Sequence, residues 1–293
     1  MLNKIFKKES KTAKAQEDFV LWQAGQGQGA AKAEKQPGDV KLFNLPVSPG
    51  ALAGQGKIYA VQGAVGGDGA TTLACNLAGL LAVSNPERVV LVDLDGYGAI
   101  RSRMGLPAGE CLLNILDWED IHGSRDIAKG LLNHSSGIMV VPGVIHLDQV
   151  ENVTPTLVLK LMTLLKESYD YIILDCSPAG VNNNTWTAAL VADAIVTVFS
   201  PDRTSIDLLQ ENNGFMLRLG CQDRVYAVLN QAGLPGGIRP GDLEGRLGVN
   251  IAGIMPYSVA VVEANNRRQL VVHSRQKDHF VSALQLLADS IQA

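Results

Sequence analysis

From residue 56 onward, short runs rich in Val, Ile and Leu alternate with stretches whose apolar residues recur at helical spacing. The runs fall at 57–62, 88–93, 137–141, 170–175, 193–199, 224–230 and 249–255. Most are nearly continuous rather than alternating, which predicts parallel strands covered by helices on both faces. The intervening patterns, at about 71–84, 153–168, 185–192, 203–219 and 239–247, have the length of crossover helices. Two more helices are predicted to close the chain, at about 259–267 and 278–291. Together they predict an α/β domain with a doubly wound, mostly parallel sheet, helices on both faces and no internal repeat.

Residues 1–55 read differently. They hold Lys4, Lys7, Lys8, Lys11 and Lys14, a Gly/Gln/Ala tract at 24–31, and Pro37, Pro46 and Pro49. Such a composition buries too little apolar surface to offset its ordering entropy, so 1–55 is expected to be a basic disordered arm and linker, with the folded domain at 56–293. The tract Gly25-Gln26-Gly27-Gln28-Gly29 follows no strand and reads as spacer. Leu2, Ile5 and Phe6 could face lipid while the neighbouring lysines face headgroups. One such turn supplies little area, so a weak membrane contact through the arm is the most expected of it.

The 293 residues are 46% hydrophobic and 18% charged, enough apolar material for a sizeable core. A net charge of −4 gives no global electrostatic reason to bind nucleic acid or anionic lipid. Cys75, Cys111, Cys176 and Cys221 lack metal-ligand spacing and are expected to be buried thiols of a reducing compartment. No apolar run approaches the roughly 20 residues of a membrane span, and the N-terminus lacks a secretory signal pattern. The expected location is cytoplasmic, at most peripheral at the inner face of the membrane.

The chemistry concentrates in Gly63-Ala64-Val65-Gly66-Gly67-Asp68-Gly69-Ala70-Thr71-Thr72. It follows the apolar run Ile58 to Val61 and precedes helical spacing over Leu73 to Leu81. Strand, glycine-rich turn and helix is the setting in which backbone N–H groups converge on a phosphate. Asp93 and Asp95 end one predicted strand and Asp175 ends another. In a parallel sheet these ends border the ligand crevice, where a carboxylate can hold Mg²⁺ waters or orient an attacking water. A lone strand-end aspartate more often caps the next helix or turn, but three beside one glycine loop favour a site.

From about Lys57 to Ile291 the sequence resembles the ParA/MinD superfamily of P-loop ATPases with a deviant Walker A motif. The resemblance covers the glycine loop, Asp93-Leu94-Asp95, the segment Tyr169 to Asp175, Ala192 to Val198, Ala227-Val228-Leu229-Asn230, and Ile254-Met255-Pro256-Tyr257 followed by Val262-Glu263-Ala264. It implies a P-loop NTPase-like fold, ATP and Mg²⁺ as ligands, and a homodimer. By position, Gly66, Gly67 and Gly69 would shape the loop that also contains Asp68 and Ala70. Thr71 would ligate Mg²⁺ and Thr72 would bind the α-phosphate. Asp95 would be the catalytic, water-activating residue, with Asp93 and Asp175 at the metal. Asn230 would face adenine and Pro256 would lie beside the base.

The departures are chemical. The family loop usually reads KGGxGK[ST], and here Val65 and Ala70 stand where the two lysines would be. The first reaches across a nucleotide-sandwich dimer; the second neutralises the β- and γ-phosphates. Losing one preorganised charge costs roughly 3 kcal/mol of transition-state stabilisation, so hydrolysis is expected to be weak or absent. Nucleotide binding is expected to persist through backbone amides, helix dipole, Thr71 and Mg²⁺. Asp68 would repel phosphate unless it points outward or meets Mg²⁺.

The Gly-Ala-Thr-Thr ending of the loop resembles the TadZ/CpaE proteins, which localise Tad (Flp) pilus assembly. That subgroup implies a nucleotide-dependent scaffold with protein partners in a membrane-associated assembly. One alternative is a partitioning ATPase acting on DNA or protein cargo, for which Arg267, Arg268, Arg275 and Lys277 are the best basic cluster. Four charges on an acidic protein equally suit a solvated face, so DNA is the lesser expectation. Another is a pseudo-ATPase that binds no nucleotide. The last helix carries no Lys or Arg over Phe280 to Ile291, so it is expected to pack on the core rather than anchor the chain to a membrane as the MinD tail does.

Overall fold

A computed structural model describes residues 52–292 apart from Tyr97, Glu110, 116–129, 181–182, 244–246 and Asn250. Nearly all of the arm predicted at 1–55 lies outside the described residues. Among the described residues eight strands form one sheet: β1 Lys57–Gly63, β2 Val89–Asp93, β3 Leu132–Asn133, β4 Ile138–Val141, β5 Tyr171–Cys176, β6 Ala194–Phe199, β7 Val225–Ala232 and β8 Ile251–Pro256. Their order is β3-β4-β2-β5-β1-β6-β7-β8. Every pairing is parallel except the short antiparallel contact between β3 and β4. The seven expected strands are all present; β3, two residues long, carries no periodicity from which to predict it.

Among the described residues the α-helices are α1 Ala70–Ser84, α2 Ala99–Met104, α3 Pro155–Ser168, α4 Asn183–Val191, α5 Arg203–Arg218, α6 Pro240–Leu243, α7 Val259–Asn266, α8 Val271–Ser274 and α9 His279–Gln292. The helix expected at 239–247 is realised as α6, and Leu247 already lies in a bend. Local sequence sets several boundaries. Thr154 caps α3 by accepting from the Leu157 N–H at 3.3 Å, with Pro155 at the first helical position. Asp202 caps α5 through the Ser205 N–H at 3.1 Å.

The sheet separates two apolar layers, as a doubly wound fold requires. On one face α1 packs with α7, α8 and α9 around Tyr59, Leu77, Leu91, Val271 and Leu284. On the other, α3 and α4 cover Ile58, Val90, Ile172 and Ile195, and Met216 of α5 joins them. Helix α9 buries Phe280, Val281, Leu284, Leu287, Ala288 and Ile291, so the last helix is a core element. All four cysteines are free and buried. No helix of the described residues is long and apolar enough to cross a membrane.

Two consequences of the topology place the site. Strand β1 lies centrally between β5 and β6, so the turn after it opens at the middle of the C-terminal sheet edge. Asp93 and Asp175 are register partners on adjacent parallel strands, so their carboxylates end side by side. The packing of α9 can be tested with two leucines two positions apart. Leu284 is fully buried and Leu286 is 71% exposed. Leu284→Ala is expected to lower unfolding free energy by about 2–5 kcal/mol and Leu286→Ala by less than about 0.5, measured by urea denaturation.

Candidate functional site

The turn begins where the Ala64 N–H donates to the Val198 carbonyl at 2.7 Å, fixing it to β6. Gly67 and Gly69 have φ of +100° and +95°, a region costly for any residue with a Cβ. A Cβ on Gly69 would in addition stand 2.4 Å from Asn230 Nδ2, whereas one on Gly66 or Gly67 would meet nothing within 4 Å. Glycine is thus required at 69 by packing beneath the turn and at 67 by backbone conformation, while the space in front stays open. The Leu73 N–H donates to the Gly69 carbonyl at 3.0 Å, so α1 starts directly from the turn. Ala70, Thr71 and Thr72 of its first turn line that space, and the first amides of a helix have no partner within it.

Asp68 does not reach into the open space. It is 2% exposed and points into the fold, accepting from Ser200 Oγ at 2.6 Å, Ser205 Oγ at 3.0 Å and the Val65 N–H at 2.8 Å. The expected repulsion of phosphate is corrected accordingly: the carboxylate anchors the turn from below. Ser205 Oγ also accepts from the Ser200 N–H at 2.9 Å, which locks the clamp to the end of β6 and the start of α5. Asn230 works from the same side, donating Nδ2 to the Asp68 carbonyl at 2.8 Å. Val65, at the first lysine position, packs against the cluster formed by Phe199, Ile206 and Leu209. Ala70, at the second, packs against the core around α1.

Two adjoining clefts lie above the turn. One, of about 150 Å³, is lined by Gly63 and Val65 to Thr72, with Asp95, Arg103, Cys176 and Pro178. The other, of about 190 Å³, brings Asn230 and Pro256 together with Gln231, Tyr257, Val262 and Asn265. Gly67, Gly69, Thr72 and Arg103 border both. Thr72 is tied sideways, its hydroxyl accepting from Asn265 Nδ2 at 3.3 Å.

The three aspartates have three different environments. Asp93 is 1% exposed, and its oxygens accept from the Asp95 N–H and the Ile100 N–H, each at 3.2 Å. These two bonds tie the turn after β2 and the first turn of α2 to its carboxylate. Asp95 is half-buried, accepts from Ser177 Oγ at 2.6 Å and lines the smaller cleft. Asp175 is fully buried and neither oxygen has a hydrogen-bond partner. The Thr71 hydroxyl acts on it favourably, in a geometry that falls short of a hydrogen bond. Such an orphaned carboxylate is costly unless a proton or a cation completes it.

Thr71 and Asp175 therefore fit a divalent ion, and oxygen donors suit Mg²⁺. Among the described residues no group of three or more His, Cys, Asp or Glu side chains forms a cage, so phosphate oxygens and water would complete the shell. Burial and then the Asp95 charge push Asp93 up to about 7. Burial and then the Asp93 charge raise Asp175 well above the usual carboxylate range. Two such neighbours titrate as a pair.

A "AAA domain" family profile matches residues 56–212, more than half of the chain. The chain belongs to the ParA/MinD superfamily. It is 33% identical over 151 residues to the sporulation initiation inhibitor protein Soj of Bacillus subtilis, covering 48% of this chain and 57% of that one. Its fold is similar to a ParA family ATPase from Chlorobium tepidum, with a TM-score of 0.72 and 21% identity over 79% of this chain and 98% of the other. It is also similar to the septum site-determining protein MinD from Pyrococcus horikoshii, solved with Mg-ADP, with a TM-score of 0.68 and 21% identity over 80% and 95% of the two chains. The chain spans about three fifths of the length of the first curated relatives it matches, 63% and 57%.

Sequence reasoning missed Arg103, Asn265, Ser177 and the Asp68 clamp. Arg103 lies on a six-residue helix, too short for a periodic signal. Asn265 and Ser177 reach the site only through the fold. The Asp68 partners lie 132 and 137 residues away along the chain.

Asp68→Ala leaves the Val65 amide and two serine hydroxyls without their acceptor, so a loss of about 2–4 kcal/mol is expected in chemical denaturation. An acid with a raised native pKa holds a proton that the unfolded chain has released. Its stabilising effect is complete below about pH 4 and is lost as pH rises toward the native value of about 7. Without Mg²⁺ or nucleotide, the urea midpoint is expected to fall across that window, and Asp93→Asn is expected to flatten the decline.

Proposed function

We propose that this chain is a nucleotide-dependent scaffold. It binds ATP with Mg²⁺ in the turn after β1, hydrolyses it slowly or not at all, and in that state positions a membrane-associated protein assembly, in the manner of TadZ/CpaE proteins. The observation that carries the proposal is the combination of an open, glycine-shaped cradle with Val65 and Ala70 where lysines would stand. The relatives supply the nucleotide class: the P. horikoshii MinD structure holds Mg-ADP.

In this assignment the amides from Gly66 to Thr72 would hold phosphate oxygens, with the half-buried Thr71 and the orphaned Asp175 at the ion. Mg²⁺ would neutralise phosphate charge when bound. Asp95, held by Ser177, would orient water at the cleft mouth. No loop lysine is present to share the charge that develops during cleavage, which favours binding over turnover. The base would enter the cleft between Asn230 and Pro256, where Asn230 serves first to hold the turn. A homodimer would form without the reach of the first lysine, because Val65 packs inward. The basic cluster offers a DNA-partitioning role less support, since Arg275 lies 3.9 Å from Glu263 and part of its charge is countered.

Calorimetric titration of the whole chain with ATP and Mg²⁺ tests the proposal. Binding is expected in the parent and at least a tenfold loss, about 1.4 kcal/mol, in Asp175→Ala. Hydrolysis is expected to rise in Ala70→Lys as the missing ammonium returns. No heat of binding in the parent rejects the nucleotide-dependent scaffold and leaves the pseudo-ATPase alternative.

A further inference from the structure

Arg103 borders both clefts, which the glycine turn also lines. Its position is imposed by α2. Ile100 and Met104, four residues apart, are 0% and 4% exposed and seat the helix in the core. Arg103 precedes Met104 by one residue and so lies at the border of the buried face, half-exposed. Arg101 projects to nearly the opposite side and donates to the Pro107 carbonyl in the loop after α2. The Ile100 N–H donates to Asp93 at 3.2 Å, so the end of β2 fixes the first turn of α2 and with it the direction of Arg103. Among the described residues no carboxylate stands within ion-pair distance of Arg103. Its charge acts through space on Asp175, lowering that group against the larger opposing effects of burial and Asp93.

The residues common to the two clefts are Gly67, Gly69, Thr72 and Arg103. A nucleotide with its base between Asn230 and Pro256 and its terminal phosphate over the turn must pass this junction with its α- and β-phosphates. We infer that Arg103 takes over phosphate recognition from the absent loop lysines, its guanidinium gripping the α/β-diphosphate from α2 rather than from the loop. This assignment rests on the nucleotide-binding reading above and deepens it. A planar guanidinium can meet two non-bridging oxygens at once, and its charge offsets the local carboxylates Asp93, Asp95 and Asp175. Placed at the diphosphate, it favours ATP and ADP alike and leaves the γ-phosphoryl without a cationic side chain.

The test is binding of ATP, ADP and adenosine, with Mg²⁺ present throughout, to the parent, Arg103→Ala, Arg103→Lys and the double variant Arg103→Ala/Ala70→Lys. Circular dichroism verifies folding. Arg103→Ala is expected to weaken ATP and ADP by a similar factor, roughly ten- to a hundredfold, the range of a charge-assisted contact, with adenosine unchanged. Arg103→Lys is expected to recover part of the loss, and Lys at position 70 in the double variant to recover ATP more than ADP. A parent that binds ATP while Arg103→Ala binds ATP and ADP within twofold of it overturns the inference alone. So does a loss confined to ATP, or a loss that neither lysine variant relieves. A parent that binds no nucleotide overturns the nucleotide-binding reading and this inference with it.

Discussion

The inward carboxylate of Asp68 is the constraint on which the site depends. Gly67 and Gly69 can hold left-handed conformations, but glycine alone leaves the chain free to hold many others. Three donors, from Val65, Ser200 and Ser205, fix Asp68, and Asn230 fixes the carbonyl of the same residue. The turn is thereby bonded to the end of β6, to the first turn of α5 and to β7, three elements beside β1 in the sheet and its helical cover. A loop so held keeps its shape without any ligand, and preorganisation of that kind removes part of the entropic cost of binding. Asp68, read in isolation as an obstacle to phosphate, is the residue that builds the cradle.

Above the turn the electrostatics run the other way. Asp175 is buried without a partner, and Asp93 lies beside it with both oxygens bound to backbone amides. A protonated or cation-bound state relieves this cost, which links ion occupancy and pH to the stability of the domain. The division of labour is between neighbours of identical chemistry: Asp93 shapes α2, Asp175 offers charge, and Asp95 lines the smaller cleft, bonded to Ser177. Because Asp93 positions α2, the same carboxylate that adds negative charge to the cluster also orients the arginine at its rim.

The sheet was legible because its strands are buried on both faces, so each reads as an unbroken apolar run, and because the crossovers between them are long. The order of the strands was not, since nothing in a Val/Ile run says which neighbour it pairs with. Short elements escaped for a different reason: α2, α8 and β3 have six, four and two residues, less than two full turns or periods. The glycine turn and the strand-end aspartates were readable from local spacing. Their roles were not, because capping, clamping and ligand contact look alike in sequence and differ only in which oxygen meets which donor. Arg103 shows the limit most directly. It enters the site through a short helix whose angle is set by Asp93, and no spacing along the chain encodes that angle.

The central claim is that the turn after β1 grips a polyphosphate through its main chain while Asp68 stays turned inward. Residue-resolved amide hydrogen exchange, with and without ATP and Mg²⁺, tests it most directly. The account predicts that nucleotide slows exchange at the amides from Gly67 to Thr72, while the Val65 amide, already bonded to Asp68, is slow in both states. Exchange in the turn that nucleotide leaves unchanged, or a Val65 amide that is fast without it, would contradict the account.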